Sequence, residues 1–453
     1  MIVLAEILNQ ILEITAGILR NTFEVIVWLW WIPFVVLYFY LRALKRQSRS
    51  IKNFDWKLLE IRVPKENIKT PKAMEQVLAS LYSMHSSVHW EEVWLKGDVH
   101  AWMSLEIAGS EKGIHFYIYI PSKFRNLVEA SFFSQYPEAE IIEVEDYTKK
   151  LPNNLPNEEY DLIGVDLYLA NKNPYPIRTY PYFLEGGSSP KEEKRTESIS
   201  NLTEIMPILK GEERVWVQIL IRPSEKGWDE QKNYEDWTKE GQKIINEIIA
   251  GGYKKKKKPS SWLNNLADEC FMFLRNLVMA FFESPVWPEK EKDGGDKAVP
   301  LMLSPIEQDM VKAIENKISK LGYVTVVRFL LINKKSELNK KNLSLMMGAF
   351  RQFTDNNLNR LKPVSRTSTF ATPRFLFKKS TVLEKKKAIF KKYINRSYPD
   401  SDHDFFSFKP SVLNIEEIAT LYHFPFSSLV EVSGLSQLPI KKSAPPSNLP
   451  VGE

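Results

Sequence analysis

An uncharged apolar run from Val25 to Leu41 constrains this chain more than any other feature of its sequence. The run is seventeen residues long, which is the short end of what an α-helix needs to cross a hydrocarbon core of roughly 30 Å. Cations follow it directly, and cations that flank one end of a span place that end in the cytoplasm. We therefore predict a single transmembrane helix over residues 23–43, with the bulk of the chain cytoplasmic. The residues assigned to this membrane anchor are Trp28, Trp30, Trp31, Pro33, Tyr38, Tyr40, Arg42, Lys45 and Arg46.

A cleaved signal peptide is the alternative interpretation of the same run. In a signal peptide a charged region precedes the apolar stretch and a small-residue cleavage site follows it. The sequence around the run has neither, which favours an uncleaved anchor. Residues 1–22 carry apolar side chains at helical spacing, with Glu6, Gln10 and Glu13 opposite them. This pattern predicts an amphipathic helix that lies on the outer membrane face or packs against a partner.

The composition of the chain indicates ordinary globular material beyond the anchor. Its 453 residues are 43% hydrophobic and 26% charged, with a mean hydropathy of −0.29, which excludes a protein with many membrane spans. The single cysteine, Cys270, excludes a disulfide framework and a multi-cysteine metal site. A net charge of +6 is too small to indicate nucleic-acid binding by itself.

The order of elements after the anchor predicts an α+β fold. Alternating apolar residues indicate four strands, and two segments with 3.6-residue periodicity indicate helices between them. The resulting order βαββαβ is that of a ferredoxin-like domain, in which two helices cover one face of a four-stranded sheet, here over residues 51–150. The predicted strands are 56–63, 101–108, 113–120 and 139–144, and the predicted helices are 71–83 and 123–135.

A second, interrupted α/β sandwich is predicted over residues 158–222 and 304–400. Its predicted elements are strands at 160–170, 215–221 and 322–332 and helices at 199–210 and 343–353. The interruption, residues 223–303, is a charged and helical insertion that includes a helix at 234–249. Residues 401–440 are predicted to form a helical extension, and the proline-rich residues 441–453 a linker.

Several segments of the sequence resemble a known group of proteins. The resemblance is carried by KTPKAMEQVLASLY (69–82), QYPEAEIIEVEDY (135–147), VWVQILIRP (215–223), LNIEEIATLYHFP (413–425) and APPSNLP (444–450). These segments resemble the uncharacterised N-terminal half of large membrane-anchored ATPases of candidate-phylum bacteria. Those ATPases are similar to the type IV secretion and conjugation coupling proteins of the HerA and FtsK superfamily. The resemblance implies a bacterial inner-membrane location, a ring-shaped homo-oligomer and a role in DNA translocation.

This chain departs from that family because it contains no phosphate-binding loop. Such a loop needs a glycine-rich turn that ends in Lys followed by Ser or Thr, so that backbone amides and an ammonium surround the phosphates. None of the eighteen glycines is followed by Lys. We therefore expect no ATP hydrolysis by this polypeptide, with the P-loop ATPase on a separate chain or lost by truncation.

Two basic segments are candidate lipid or nucleic-acid contacts. Lys254, Lys255, Lys256, Lys257 and Lys258 precede an apolar helix that begins at Trp262. This helix lies either on the anionic inner leaflet or against the second sandwich, with a solvated lysine run before it.

The second basic segment lies near the C-terminus and combines cations with aromatic rings. Its lysines include Lys378, Lys379, Lys385, Lys386 and Lys387, interleaved with residues such as Phe390 and Tyr393. One interpretation is a single-stranded nucleic-acid path, with cations on phosphates and rings under bases. The alternative is a solvated basic helix whose aromatic residues lie in the core.

No pattern in the sequence indicates catalysis, a cofactor or a metal site. His85 and His89 lie four residues apart, but no carboxylate ligand pattern accompanies them. The acidic residues between Glu138 and Asp146 alternate with apolar ones, which is typical of a solvated strand edge. The resulting hypothesis is a non-catalytic anchoring and assembly module of a secretion or conjugation motor. The alternative is a stand-alone membrane-anchored scaffold that binds nucleic acid or anionic lipid.

Overall fold

The computed structural model describes most of the region between the predicted anchor and the predicted linker. The described residues are 31–64, 69–84, 100–111, 113–184, 198–205, 209, 211–224, 236–249, 303–338, 340–370, 378–398 and 410–425, with 15, 17 and 20 in isolation. The strands are β1 (Trp56–Arg62), β2 (Met103–Ser110), β3 (Gly113–Pro121), β4 (Glu140–Glu143), β5 (Tyr160–Leu169), β6 (Arg214–Pro223), β7 (Gly322–Lys334), β8 (Leu361–Pro363) and β9 (Ser411–Asn414). The helices are α1 (Ile32–Asn53), α2 (Pro71–Leu81), α3 (Arg125–Gln135), α4 (Tyr180–Leu184), α5 (Ser200–Ile205), α6 (Trp237–Ile249), α7 (Pro305–Ser319), α8 (Lys340–Arg351), α9 (Lys378–Ile394) and α10 (Ile415–Leu421).

These strands form one continuous antiparallel sheet. Its order is β4-β1-β3-β2-β6-β7-β5-β8, with β9 also paired to β7. The mixed α+β class is therefore confirmed, with an antiparallel sheet. The two predicted units share this sheet, because β2 pairs with β6 over its whole length, from Met103 opposite Ile221 to Ser110 opposite Arg214.

Helices and loops cover both faces of the sheet, which explains the apolar character of its central strands. On one face α2, α3, α8 and α10 enclose the largest hydrophobic cluster, to which Leu105, Val217 and Phe329 contribute. On the other face Phe390 and Tyr393 of α9 pack on Trp216. Because both faces are covered, nearly all of the thirteen residues of β7 are buried.

The C-terminal part of the described chain is integrated into the core. β9 pairs with β7, and α10 begins with a capping box in which Asn414 and Glu417 each accept a hydrogen bond from the other's backbone amide. Beyond α10, Tyr422 and Phe424 pack edge-on against Phe116 of β3. Within the helical extension predicted over 401–440, residues 410–425 form β9 and α10, which add to the sheet and to its largest hydrophobic cluster.

The predicted membrane anchor is only partly within the described residues. Trp28 and Trp30 lie outside them, as do residues 21–30 generally and nearly all of the predicted amphipathic helix at 1–22. From Trp31 to Arg42 every residue is exposed. Of the helices that the structure describes, none combines the length and the apolar character needed to cross a membrane.

Two further predictions lie outside the described part of the chain. The first is the basic run Lys254–Lys258 with the helix that begins at Trp262, which includes Cys270. The second is the proline-rich linker at 441–453. The helix at the start of the insertion is described, and it begins at Trp237 and ends at Ile249.

Candidate functional site

A row of polar side chains crosses the sheet on the face that α9 covers. The row runs through six adjacent strands, because each of its members is the direct cross-strand neighbour of the next. Side chains opposite one another in an antiparallel pair project to the same face, so the six lie side by side. In order from β1 to β5 they are Glu60, Tyr117, Glu106, Gln218, Arg328 and Asp166. We call this set the polar ladder.

Glu106 is the centre of the polar ladder and is fully buried. One carboxylate oxygen accepts hydrogen bonds from Ser104 at 2.7 Å, Gln218 at 2.9 Å and Arg396 at 3.0 Å. The other accepts from the Tyr147 hydroxyl at 2.8 Å and again from Arg396 at 3.2 Å. A buried carboxylate is tolerated only when its lone pairs are satisfied in this way.

Arg396 neutralises this carboxylate from a backbone position that normally belongs to glycine. Its φ of 46° is left-handed, and it follows the end of α9. The amide of Ser397 donates to the Lys392 carbonyl and the amide of Arg396 donates to the Tyr393 carbonyl. This is the Schellman pattern, which favours Gly at the left-handed residue. An arginine there costs backbone energy, and the ion pairs of its guanidinium offset that cost.

Arg396 has a second carboxylate partner on the loop after β4. Both of its terminal nitrogens bond to Asp146, one of them at 3.1 Å, and its Nε holds Glu106. Burial alone would lower the pKa of Arg396, but attraction to Glu106 and the hydrogen bond to Asp146 raise it well above its ordinary value. Burial would likewise raise the pKa of Asp146, but the hydrogen bond and charge of Arg396 lower it. Both groups therefore stay charged at neutral pH.

The far side of the polar ladder contains a second buried ion pair. Arg328 donates to Asp166 at 2.6 Å and to the Gln218 side-chain oxygen at 3.0 Å. The Gln218 amide nitrogen in turn donates to Glu106. Gln218 therefore joins the Arg328 pair to the Glu106 pair across the junction of β2 and β6. This arrangement has the character of a structural brace between the two halves of the sheet.

Aromatic side chains seal the polar ladder from solvent. Trp216 stacks on Tyr393 with ring centroids 5.3 Å apart, and Tyr147 stacks on Tyr117 at 4.8 Å. Tyr147 and Tyr393 also share a hydrogen bond of 2.7 Å. Burial raises the pKa of both hydroxyls well above their ordinary value. The members of the polar ladder and the rings over it are thus buried together among the residues that the structure describes.

An open cleft lies beside Asp146, at the surface above this sealed region. One wall is the segment 146–155, which includes a 3-10 turn at Tyr147–Lys150, and the other is the C-terminal half of α9. The cleft has a volume of about 580 Å³, which is within the usual range for ligand sites. We call it the basic cleft. The residues that line it are Asp146, Thr148, Lys149, Asn153, Asn154, Leu155, Lys387, Lys391, Ile394 and Asn395.

The basic cleft is positively charged. Lys149, Lys387 and Lys391 are exposed at its rim. Among the residues lining the cleft, Asp146 is the one carboxylate, and it pairs with Arg396, which it shares with the buried Glu106. Among the described residues, none of the three lysines makes an ion pair with a carboxylate. The cleft therefore presents ammonium and amide donors to a negatively charged ligand.

The structure separates the lysines of the predicted C-terminal contact. Lys385 is buried, and its ammonium donates to the Ser365 carbonyl at 2.8 Å. Lys386 bonds to both oxygens of Asp161, at 2.6 and 2.7 Å. Lys387 alone of these three lies exposed at the basic cleft. Lys378 and Lys379 form the start of α9, where the structure describes the backbone only.

Two aromatic residues of the same segment that the structure describes lie in the core. Phe390 and Tyr393 are buried on the sheet beneath α9. They are therefore unavailable to stack on nucleic-acid bases, as the alternative interpretation of this segment expects. A nucleic acid at this surface would be contacted through its phosphates.

The acidic residues of the predicted strand edge lie in two different environments. Glu143 at the edge of the sheet is exposed and pairs with Lys57 and Arg125, both at 2.6 Å. Asp146, which the sequence places in the same solvated cluster, instead pairs with the buried Arg396. At the inner side of β1, Glu60 accepts from His115 and Arg62. Among the residues that the structure describes, no group of three metal-ligating side chains comes together.

Sequence reasoning missed the polar ladder and half of the basic cleft. A usable signal existed for the first, because Glu106, Gln218 and Arg328 are charged or amide residues in the middle of mostly apolar strands. Such residues need buried partners. No comparable signal marked Lys149, because its position opposite α9 depends on how the chain folds.

Comparisons with known proteins identify a family match. A family model described as "Domain of unknown function (DUF8128)" matches residues 43–425. The matched segment contains every strand of the sheet, the polar ladder and the basic cleft. No curated protein matches the chain.

Proposed function

The chain belongs to the family described as a domain of unknown function (DUF8128), and we propose that it is a non-catalytic membrane-anchoring and assembly module. In this proposal the N-terminal helix holds the protein at a bacterial inner membrane, with the folded α+β region in the cytoplasm. That region serves as a scaffold in a type IV secretion or conjugation motor for DNA translocation. The P-loop ATPase of that motor is on another chain.

The exposed apolar surface of α1 is the observation that carries this proposal. Phe34, Val36 and Phe39 are 59%, 61% and 61% exposed. Contiguous apolar surface of this kind on a soluble protein marks a membrane or protein contact. Tyr38 accepts a hydrogen bond from Arg42, which places an aromatic hydroxyl beside a cation, as at a membrane interface. We infer that residues 23–43 enter the membrane and that the chain leaves it at Arg42.

The folded region supports a scaffold role through its duplicated arrangement. The first half of the sheet has the order β4-β1-β3-β2, and the second half has the corresponding order β8-β5-β7-β6. We interpret each half as a ferredoxin-like unit, with β2 of the first paired to β6 of the second. The insertion at 223–303 then leaves the second unit from the end of β6. A sheet held by the polar ladder across this pair provides a stiff base for partner contacts.

Membrane extraction of the full chain tests the anchor. The variant V36D/F39D places two carboxylates in the proposed span, where an aspartate costs at most about 2.5–3.5 kcal/mol, the value for a helix centre. We expect the native chain to resist alkaline carbonate extraction from bacterial membranes and the variant to be released. The matched control is F133D/Y182D, which changes two exposed aromatic residues of the folded region, 43% and 56% exposed. Equal release of both variants, or release of the native chain, would contradict the anchor.

Co-purification tests the assembly role. The resemblance implies a homo-oligomer and a separate P-loop ATPase subunit, encoded by an open frame downstream. We expect that ATPase to co-purify with the full chain in mild detergent. Its absence from the complex would favour a second candidate function, a stand-alone membrane-anchored scaffold. The basic cleft is the observation that favours nucleic acid rather than lipid as the partner of such a scaffold, because its lysines face a cleft and not a flat surface.

A further inference from the structure

We propose that the basic cleft binds phosphate groups of a soluble ligand. The ligand is either a compact phosphate, such as a pyrophosphate, or the backbone of single-stranded nucleic acid. This inference does not rest on the membrane anchor, since the cleft belongs to the folded region and its binding is measured on detergent-solubilised protein. The membrane-extraction experiment and the binding experiment can therefore fail independently of each other.

Cations from two different elements converge on the cleft. Lys387 and Lys391 are four residues apart on α9, so they lie on one face of the helix with Cβ atoms about 5–6 Å apart. Lys149 comes from the 3-10 turn of the opposite wall. Three ammonium groups around one cleft can contact the several oxygens of a phosphate at once. A solvated basic helix without a facing wall would supply two of them at most.

The charge of the cleft is not cancelled from below. Asp146 is engaged by Arg396 and by the amide and hydroxyl of Thr148, at 3.0 and 2.8 Å. Its negative charge is therefore partly offset before any ligand arrives, and its oxygens already have hydrogen-bond donors. Three exposed amides, Asn153, Asn154 and Asn395, add neutral donors to the same cleft.

Both walls of the cleft are fixed without a ligand. On the first wall, Leu155 is buried and Asp146 is tied to Arg396. On the second wall, the left-handed Arg396 fixes the end of α9 through its backbone hydrogen bonds and its bonds to Glu106. A site held in place before binding loses less conformational entropy on binding.

The chemistry of the cleft also limits what it can recognise. None of the residues that line the cleft is aromatic, and the neighbouring Tyr147 and Tyr393 are buried, so they offer no stacking surface to a base. Contacts to phosphate position a nucleic acid but carry no sequence information. We therefore expect binding that depends on salt and not on sequence.

Binding of defined probes to the full chain in detergent tests this inference. The probes are a fluorescent dT 20-mer, followed by anisotropy, and inorganic pyrophosphate, followed by calorimetry. In K387E/K391E we expect a loss of at least roughly tenfold in affinity and a salt slope lowered by about 1.4, since each single-strand phosphate contact contributes about 0.7. K149E should lower the affinity for the same probe, because it changes the opposite wall of the cleft.

A matched control is available on α6. Lys239 and Lys243 are also four residues apart on an exposed helical surface, and K239E/K243E changes the net charge by the same amount. We expect this control to alter affinity by less than about twofold, as for a distant charge that salt screens. Pyrophosphate binding that is lost in K387E/K391E assigns a compact phosphate, and binding of the 20-mer alone assigns a polymer backbone.

Three results would overturn the proposal. The first is that neither probe binds the native chain. The second is that the α6 control loses as much affinity as K387E/K391E, since binding would then follow net charge. The third is that K149E leaves binding unchanged, since the ligand would then lie on α9 without entering the cleft.

Discussion

Replacing Arg396 with methionine should destabilise the folded region strongly, because it leaves Glu106 buried without a cation. Glu106 is fully buried and Arg396 is 1% exposed. Ser104, Gln218 and Tyr147 would still donate to the carboxylate, but they are neutral. Breaking a buried ion pair by removing one partner costs about 3–5 kcal/mol. Asp146 lies closer to solvent and contributes less to this loss.

Urea unfolding of the full chain in detergent measures this cost, with the intrinsic tryptophan fluorescence of the chain as reporter. We expect R396M to lower the free energy of unfolding by about 3–5 kcal/mol. R396G should be less damaging by about 1 kcal/mol, because glycine relieves the left-handed backbone at this position. E106Q/R396M should cost about 2 kcal/mol less than the sum of its two single variants, since it removes both charges.

Two outcomes would refute this reasoning. A loss below about 1 kcal/mol in R396M would mean that water reaches Glu106 and that the ion pair behaves as a surface pair. Additive costs in the double variant would mean that Arg396 stabilises the fold through its packing on Tyr119, whose ring centroid is 4.3 Å from the guanidinium carbon, and not through Glu106.

Two further substitutions test the sheet itself. Burial opposes the charge of Glu60, but hydrogen bonds from His115 and Arg62 lower its pKa from the ordinary value of 4.5 to about 2. The ionised Glu60 therefore stabilises the fold fully above about pH 4.5. This stabilisation is lost as the pH falls toward 2. In the E60Q variant the free energy of unfolding should not fall in this way between pH 4.5 and pH 2. Identical pH profiles of the native and E60Q proteins would contradict this prediction. At Gly164 an added Cβ would lie 2.3 Å from the Leu330 side chain, so G164A should cost about 1–3 kcal/mol by overpacking in the same urea experiment, whereas unchanged stability would show that the core yields there.

The local elements of the fold could be predicted from the sequence because they follow from short-range periodicity. The alternation around VWVQILI predicts a buried strand, and β6 runs from Arg214 to Pro223. Boundaries shift by a few residues, as at the helix predicted for 71–83, of which α2 covers Pro71–Leu81. The pairing of β2 with β6 was not predictable in this way, because the sequences of two apolar strands do not indicate which strand edges pair.

The candidate sites could be predicted only in part, because their members come together from distant positions. The sequence indicated Lys387 as a basic contact, but it treated Lys385 and Lys386 in the same way. Burial and an ion pair to Asp161 now distinguish these two from Lys387. Lys149 and Lys391 line the same cleft only because α9 packs on the sheet beside the loop after β4.

The sequence by itself therefore determined the class of the fold and the location of its charges along the chain. Periodicity and charge placement are local properties, because each depends on a few neighbouring residues. Only the tertiary structure decided which charges are exposed and which are paired. Glu106 and Arg396 are 290 residues apart in the chain, and their pairing follows from the packing of α9 against the far face of the sheet. Burial then makes the pairing obligatory, because a lone charge at that depth would cost more free energy than the fold could supply.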